Sequence, residues 1–287
     1  MYAEEIDMKF YHYFHILKPS IWPLWVSLQM LTCILVFLNI LQGSAKSMEY
    51  ILLLFVIIWL GFIIISWFED ITVEGVYNRH HTKEVNKSLR LGAVLFIISE
   101  IMLFSGFFWS FFHSSLAPSH AIGCVWPPMG IEPIVAYKLP LANTMILLCS
   151  GATITLAHHA YILSAKEAKE PVFVFSRFSV NLVSLCFGMT IGLGLLFTAL
   201  QVTEYIEASF SINSGIFGSV FYMLTGLHGL HVLLGSIMLL NSFLRYSAGH
   251  FTINNHFAFQ FAALYWHFVD VVWIILFVVL YTNIPTN

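Results

Sequence analysis

The stretch "LFIISEIMLFSGFFW", Leu95 to Trp109, decides the fold class. Apart from Ser99, Ser105, Gly106 and one acid, Glu100, every side chain in it is large and apolar. Its residues one helical turn from Glu100 are Phe96, Ile97, Leu103 and Phe104. A soluble helix would show a polar face over such a length, and this one has none. The stretch reads as part of a membrane-spanning helix carrying a single intramembrane carboxyl. A carboxylate there would be strongly desolvated, so the neutral acid, which can donate a hydrogen bond, is the expected state. The group is also expected to be partly open to lipid and reactive towards apolar carbodiimides.

The rest of the chain agrees. Of 287 residues, 59% are hydrophobic and only 9% charged, and the mean hydropathy is +0.84. Soluble domains carry roughly 25% charged residues. The net charge of −3 and the lack of any basic tract give no sign of nucleic-acid binding. A helix needs about 20 mostly apolar residues to cross the hydrocarbon. Seven stretches meet that: 21–42, 50–68, 90–112, 141–163, 175–203, 215–244 and 257–282. In lipid they must be helices, because no water is present to satisfy an open backbone.

Lys and Arg set the direction. With seven spans, ten of the twelve fall on the side that holds the N-terminus, against Lys46 and Lys138 on the other. The positive-inside rule then puts the N-terminus on the cytoplasmic or matrix side and the C-terminus across the membrane. The N-terminal "MYAEEIDMKFYHYFHILK" is acidic and aromatic, unlike a signal or transit peptide. Heavy use of Phe and Ile points to an AT-rich, organellar gene.

Small residues are expected to mark close helix contacts: Ser184, Gly188 and Gly192 in the fifth span, and Gly226 with Gly229 in the sixth. Between the third and fourth spans, Pro118, Pro127, Pro128, Pro133 and Pro140 predict an ordered, non-helical loop with Trp126 at the membrane surface. Cys33, Cys124, Cys149 and Cys186 form no C-x-x-C cluster and read as small buried hydrophobes.

Thirteen histidines raise the question of metal or haem. His228 and His231, at i and i+3, share a helix face and could share an ion. His158 and His159 point about 100° apart and could not. No span carries two well-separated histidines of the kind that stacked haems need. Buried imidazoles also serve as hydrogen-bond hubs between helices.

Longer motifs carry a family resemblance. "LKPSIWPL", "KSLRLGAVLFIISEIMLFSGFFWSFFHSSLAP", "WPPMGI", "LPLANT", "ITLAHHA", "EYIEASFSINSGIFGSVFYMLTGLHGLHVLLGS" and "YWHFVDVVWIILFV" follow one another along nearly the whole chain. In that order they resemble subunit III of the haem-copper cytochrome c oxidases. The resemblance implies an all-α polytopic membrane protein of seven transmembrane helices. A two-helix part, residues 1–70, would splay from a five-helix bundle, residues 71–287, with phospholipids in the cleft. It implies no redox centre in this chain, with haem a and copper in partner subunits, subunit I as the main partner among the other oxidase subunits, and bound phospholipids. The implied location is the mitochondrial inner membrane, with the bacterial plasma membrane as the alternative.

The implied lipid-binding residues are Trp67, Glu74 and His81 near the end of the second helix, and Arg245 and His250 after the sixth. Arg245 can make charge-assisted bonds to phosphate. Glu100 matches the family's intramembrane Glu. The chain departs from the family pattern at Val73 and Gly75, which replace polar residues beside Glu74. It departs also at Gln260, where Glu is common, and at Leu156, where Trp is usual. Two other functions are open to such a chain: a stand-alone proton conductor using Glu100, and a haem-binding membrane cytochrome. The first needs a chain of ionisable groups. Glu100, Ser99 and Ser105, with His267 and Asp270, offer a thin one.

Overall fold

A computed structural model of the chain describes residues 19–42, 47–78, 80–167, 175–252 and 255–282, with the side chains of 165–180 left aside. Among them are seven long helices and no strand: α1 Trp22–Leu41, α2 Ser47–Thr72, α3 Lys83–Leu116, α4 Leu139–Glu167, α5 Phe175–Glu207, α6 Gly215–Ser247 and α7 Phe257–Leu276. All seven are long and apolar enough to cross a membrane. The basic residues Lys9, Lys18, Lys46, Arg79, Lys166, Lys169 and Arg177 used for the orientation argument lie outside the described side chains. The chain divides into two compact units, Met1–Leu91 and Gly92–Asn287.

In the first unit α1 and α2 pair. Pro23 lies in the first turn of α1, where its missing N–H costs nothing. Along their length α1 buries only Val36, and α2 only Val56 and Ile63. Two polar bonds pin the pair: Trp22 Nε1 donates to Asp70 Oδ2 at 2.6 Å, and Gln29 Nε2 to the Val56 carbonyl at 3.0 Å. The second helix is longer than hydropathy suggests, continuing to Thr72 and then through a wider π turn, Val73–Tyr77.

In the second unit α4 packs on α5 and α7, and α6 on α5 and α7. Polar side chains tie these contacts from within. Thr153 and Thr190 hydroxyls meet at 2.7 Å, Trp266 Nε1 donates to Ser150 Oγ at 2.9 Å, and Trp273 Nε1 to Thr144 Oγ1 at 2.9 Å. Where lipid supplies no hydrophobic drive between helices, such bonds and close packing hold the bundle.

The close approaches are not at the glycines expected from the four-residue stripe. A Cβ built on Gly188, Gly192 or Gly229 meets nothing within 4 Å, and on Gly226 only Tyr205 Oη at 3.9 Å. The positions tight against Trp266 are Gly194 and Gly235. There a Cβ would lie 2.5 Å from Trp266 Cη2 and 2.9 Å from Trp266 Cε3, respectively. The stripe was real, but a small face on a helix does not say which way it points. The indole of Trp266, fully buried, decides where glycine is required.

Helix α3 is held differently. Phe96 meets Phe261 and Tyr265, each at 6.2 Å between centroids, Phe104 meets His231 at 5.1 Å, and Phe111 meets Trp126 at 5.6 Å. Trp126 also packs edge-on to Phe217 at 5.5 Å. The proline-rich loop after α3 is therefore ordered and anchored by Trp126, as its composition predicts. It contains a single 3-10 turn at His120–Ile122, and Gly123 and Gly130 take positive φ within it.

Candidate functional site

Glu100 is not alone. Its Oε2 lies 2.8 Å from His231 Nε2, joining α3 to α6. His231 Nδ1 lies 2.7 Å from the carbonyl of Leu227, which can only accept, so Nδ1 carries a proton. The bond to Glu100 then has two forms: a neutral acid donating to a neutral ring, or a carboxylate accepting from an imidazolium. Both are net neutral, which is what a low-dielectric setting tolerates. The side chains are 19% and 6% exposed, with Phe104, Tyr265 and Phe268 around the imidazole. This partner is 131 residues away in sequence, and nothing in the spacing of either motif announces it.

The same contact gives His228 and His231 separate partners. His228 Nε2 donates to the Val269 carbonyl at 3.2 Å, while His231 bonds to Glu100 and Leu227. The two rings share a helix but serve different neighbours. Among the described residues, no group of three or more His, Cys, Asp or Glu is placed to hold a metal ion. Nor does the pair continue as a relay: beyond Glu100, His231 ends on a carbonyl of its own helix.

Two further intramembrane acids have their own partners. Glu204 Oε1 accepts from Tyr281 Oη at 2.6 Å and from Gln201 Nε2 at 3.5 Å. Asp270 rests against Gly151, and its Oδ2 is 3.8 Å from His267 Nδ1. His267 Nε2 is 3.2 Å from Thr155 Oγ1, which already donates to the Gly151 carbonyl at 2.9 Å. The imidazole N–H must therefore donate to Thr155. These groups line an open groove of about 540 Å³ between α4 and α7, together with Leu156 and Ile274. Sequence reading had placed His267 and Asp270 only as possible members of a proton path.

The residues carried over from the resemblance fall in both units. In the first, Trp67 is on α2, Glu74 in the π turn, and His81 in the link to α3. The turn brings Glu74 and His81 together: the His80 N–H donates to the Glu74 carbonyl at 3.0 Å, and the His81 ring lies over Gly75. A Cβ on Gly75 would come 2.6 Å from His81 Nδ1, so the departure at this position is what lets the ring lie there. In the second unit, Arg245 is in the last turn of α6 and Gly249, at φ +70°, ends the helix. The Gly249 N–H returns to Tyr246 and the His250 N–H to Arg245, both at 3.0 Å, the pattern of a Schellman stop. The Arg245 guanidinium lies 5.1 Å over the Phe251 ring. Gln260 Nε2 bonds His256 Nε2 at 2.9 Å, and Leu156 is 48% exposed.

Fold and site together define a multi-pass membrane protein whose intramembrane acids have polar side chains beside them, one of them, Glu100, a histidine on another helix. The model of the cytochrome c oxidase subunit III family matches residues 12–283, and the chain belongs to that family. It is 45% identical to the cytochrome c oxidase subunit 3 of Dugong dugon over 276 residues, covering 94% of this chain and 97% of the relative. The corresponding proteins of Ornithorhynchus anatinus and Latimeria chalumnae are 45% and 42% identical, each over 94% of this chain and 97% of the relative.

Proposed function

We propose that this chain is a non-redox, lipid-binding core subunit of cytochrome c oxidase that supports the catalytic subunit I. The complex passes electrons from cytochrome c to oxygen, coupled to proton pumping, with haem a and copper in partner subunits. The carrying observation is the family match over residues 12–283. The commitment of His228 and His231 to bonds between side chains and backbone supports a chain without a redox centre of its own. The excess of Lys and Arg on one side supports a mitochondrial inner-membrane location with a matrix N-terminus and an intermembrane-space C-terminus.

Phospholipids are assigned to Trp67, Glu74 and His81, and to Arg245 and His250. In support, Arg245 Nε is buried with no hydrogen-bond partner among the described residues, and a phosphate oxygen would supply one. Oxygen partitions into hydrocarbon, so lipid held here gives it an apolar route towards subunit I.

The test is purification in mild detergent. Haem a and copper should accompany the chain, and a Soret band belonging to this polypeptide alone would overturn the reading. Arg245→Ala with His250→Ala should remove bound phospholipid and lower turnover most at low oxygen. An unchanged oxygen dependence, with the lipid shown to be lost, would refute the oxygen route.

A further inference from the structure

The α4/α7 groove is built at the wrong depth for a headgroup. Asp270 lies 13 residues after the start of α7 and 12 before the end of its span at Thr282. At about 1.5 Å per residue that is about 18–20 Å from either end, near the middle of the bilayer. His267 is nonetheless 44% exposed there. Asp270 is 6% exposed as a residue, lines the groove, and its Oδ1 has no hydrogen-bond partner among the described residues. Rotation of a carboxyl about its last bond is soft, so either oxygen can be turned to the groove. An acyl chain would leave these groups unanswered, and polar groups facing hydrocarbon are costly.

The shape is that of a helix seat. On α4 the lining recurs at Leu148, Gly151, Thr155 and His159, one face at three- and four-residue spacing. From Leu148 to His159 this runs about 16 Å, or three turns. The facing wall is α7, with His267 and Asp270. Two ridges with a valley between them admit a third helix, and Ala152, exposed on the α4 wall, keeps that wall low.

We propose that this groove seats one transmembrane helix of another oxidase subunit, presenting a hydroxyl or carboxamide near its midpoint to the Asp270–His267 pair. A neutral donor suffices. The Thr155 bond fixes the imidazole N–H at Nε2, so a protonated Asp270 beside the neutral ring leaves the site net neutral, with an acceptor to spare. This rests on the chain being an oxidase subunit.

The experiment places a benzophenone side chain at position 156 in the assembled, haem-containing oxidase, with position 185 on α5, also exposed, as control. The expected product is a cross-link from 156, absent from 185, to one membrane-spanning helix of another oxidase subunit. Its attachment point should lie within a turn of a Ser, Thr, Asn or Gln. Ala152→Trp, which puts an indole into the groove from the α4 wall, should lower the content of that subunit at least fivefold, and Asp270→Asn should weaken its retention in detergent. Cross-links only to lipid, only to a second copy of this chain, or to a helix with no polar residue at that level would overturn the proposal. If no haem a accompanies the chain at all, the subunit reading itself falls, which is a separable outcome.

Discussion

Gly194→Ala is a sharp perturbation of the packing between α5 and α7. Its new methyl would lie 2.5 Å from Trp266 Cη2 and 2.9 Å from Ser236 Oγ, where ordinary contact begins at 3.4 Å. The indole would have to retreat by about 0.9 Å, the difference between 2.5 Å and the 3.4 Å at which ordinary contact begins. It has nowhere to go, being fully buried and bonded through Nε1 to Ser150 Oγ, itself buried. Overpacking of this kind costs about 1–3 kcal/mol, and losing the Trp266–Ser150 bond adds about 1 kcal/mol. A total of about 2–4 kcal/mol corresponds to roughly 30- to 700-fold in the folding equilibrium. The assay is stepwise heating of the purified oxidase, reading how much of this chain remains in the complex. Gly188→Ala and Gly192→Ala, which meet nothing within 4 Å, are the comparison and should stay within about 0.5 kcal/mol of the parent. A Gly194→Ala complex as heat-resistant as the parent would refute the argument, as would a Gly188→Ala complex that fails as badly.

Other expectations follow from the paired acids and the π turn. His231→Leu leaves the Glu100 carboxyl without its partner and should cost about 1–3 kcal/mol, measured by the same heating assay. Glu100→Gln keeps an N–H to donate to Nε2 and should cost clearly less; equal losses would mean that the bond contributes little. Tyr281→Phe removes the 2.6 Å donor to Glu204 and should cost about 1–3 kcal/mol in the same assay; an unchanged heat resistance would mean that this bond contributes little. Gly75→Ala puts a methyl 2.6 Å from His81 Nδ1 and should displace that ring. The readout is phospholipid retained per complex, which should fall; full retention would remove His81 from the lipid assignment.

Seven helices were legible in the sequence because hydropathy alone forces them: a 20-residue apolar run in a bilayer has no other stable form. Their ends were less so. The turns through Val73–Tyr77 continue α2 by a π geometry that apolarity does not signal, and the last turns of α3 run on to Leu116 past the hydropathic core. What could not be read was direction. Gly188 and Gly194 are both small residues on α5, yet only the buried Trp266 tells them apart, and that residue is on α7. Glu100 looked isolated because its partner, His231, is three helices further along. His231 in turn looked like half of a metal site because spacing on one helix says nothing of what stands opposite. The motifs at Trp67, Glu74, His81, Arg245 and His250 were visible through resemblance. That Gly75 leaves room for a ring was visible only once the His81 imidazole was seen above it.

The thin contact between α1 and α2 bears on how the protein is made. With Val36, Val56 and Ile63 alone buried along these helices, most of their apolar circumference remains uncovered by the unit itself. Such a hairpin has no soluble resting form: released into water, it would aggregate before its partner helices were translated. It has to pass from ribosome to bilayer without an aqueous interval. Shielding from water until insertion is, for this pair, a physical requirement, and hydrocarbon chains complete the packing that the polypeptide leaves unfinished.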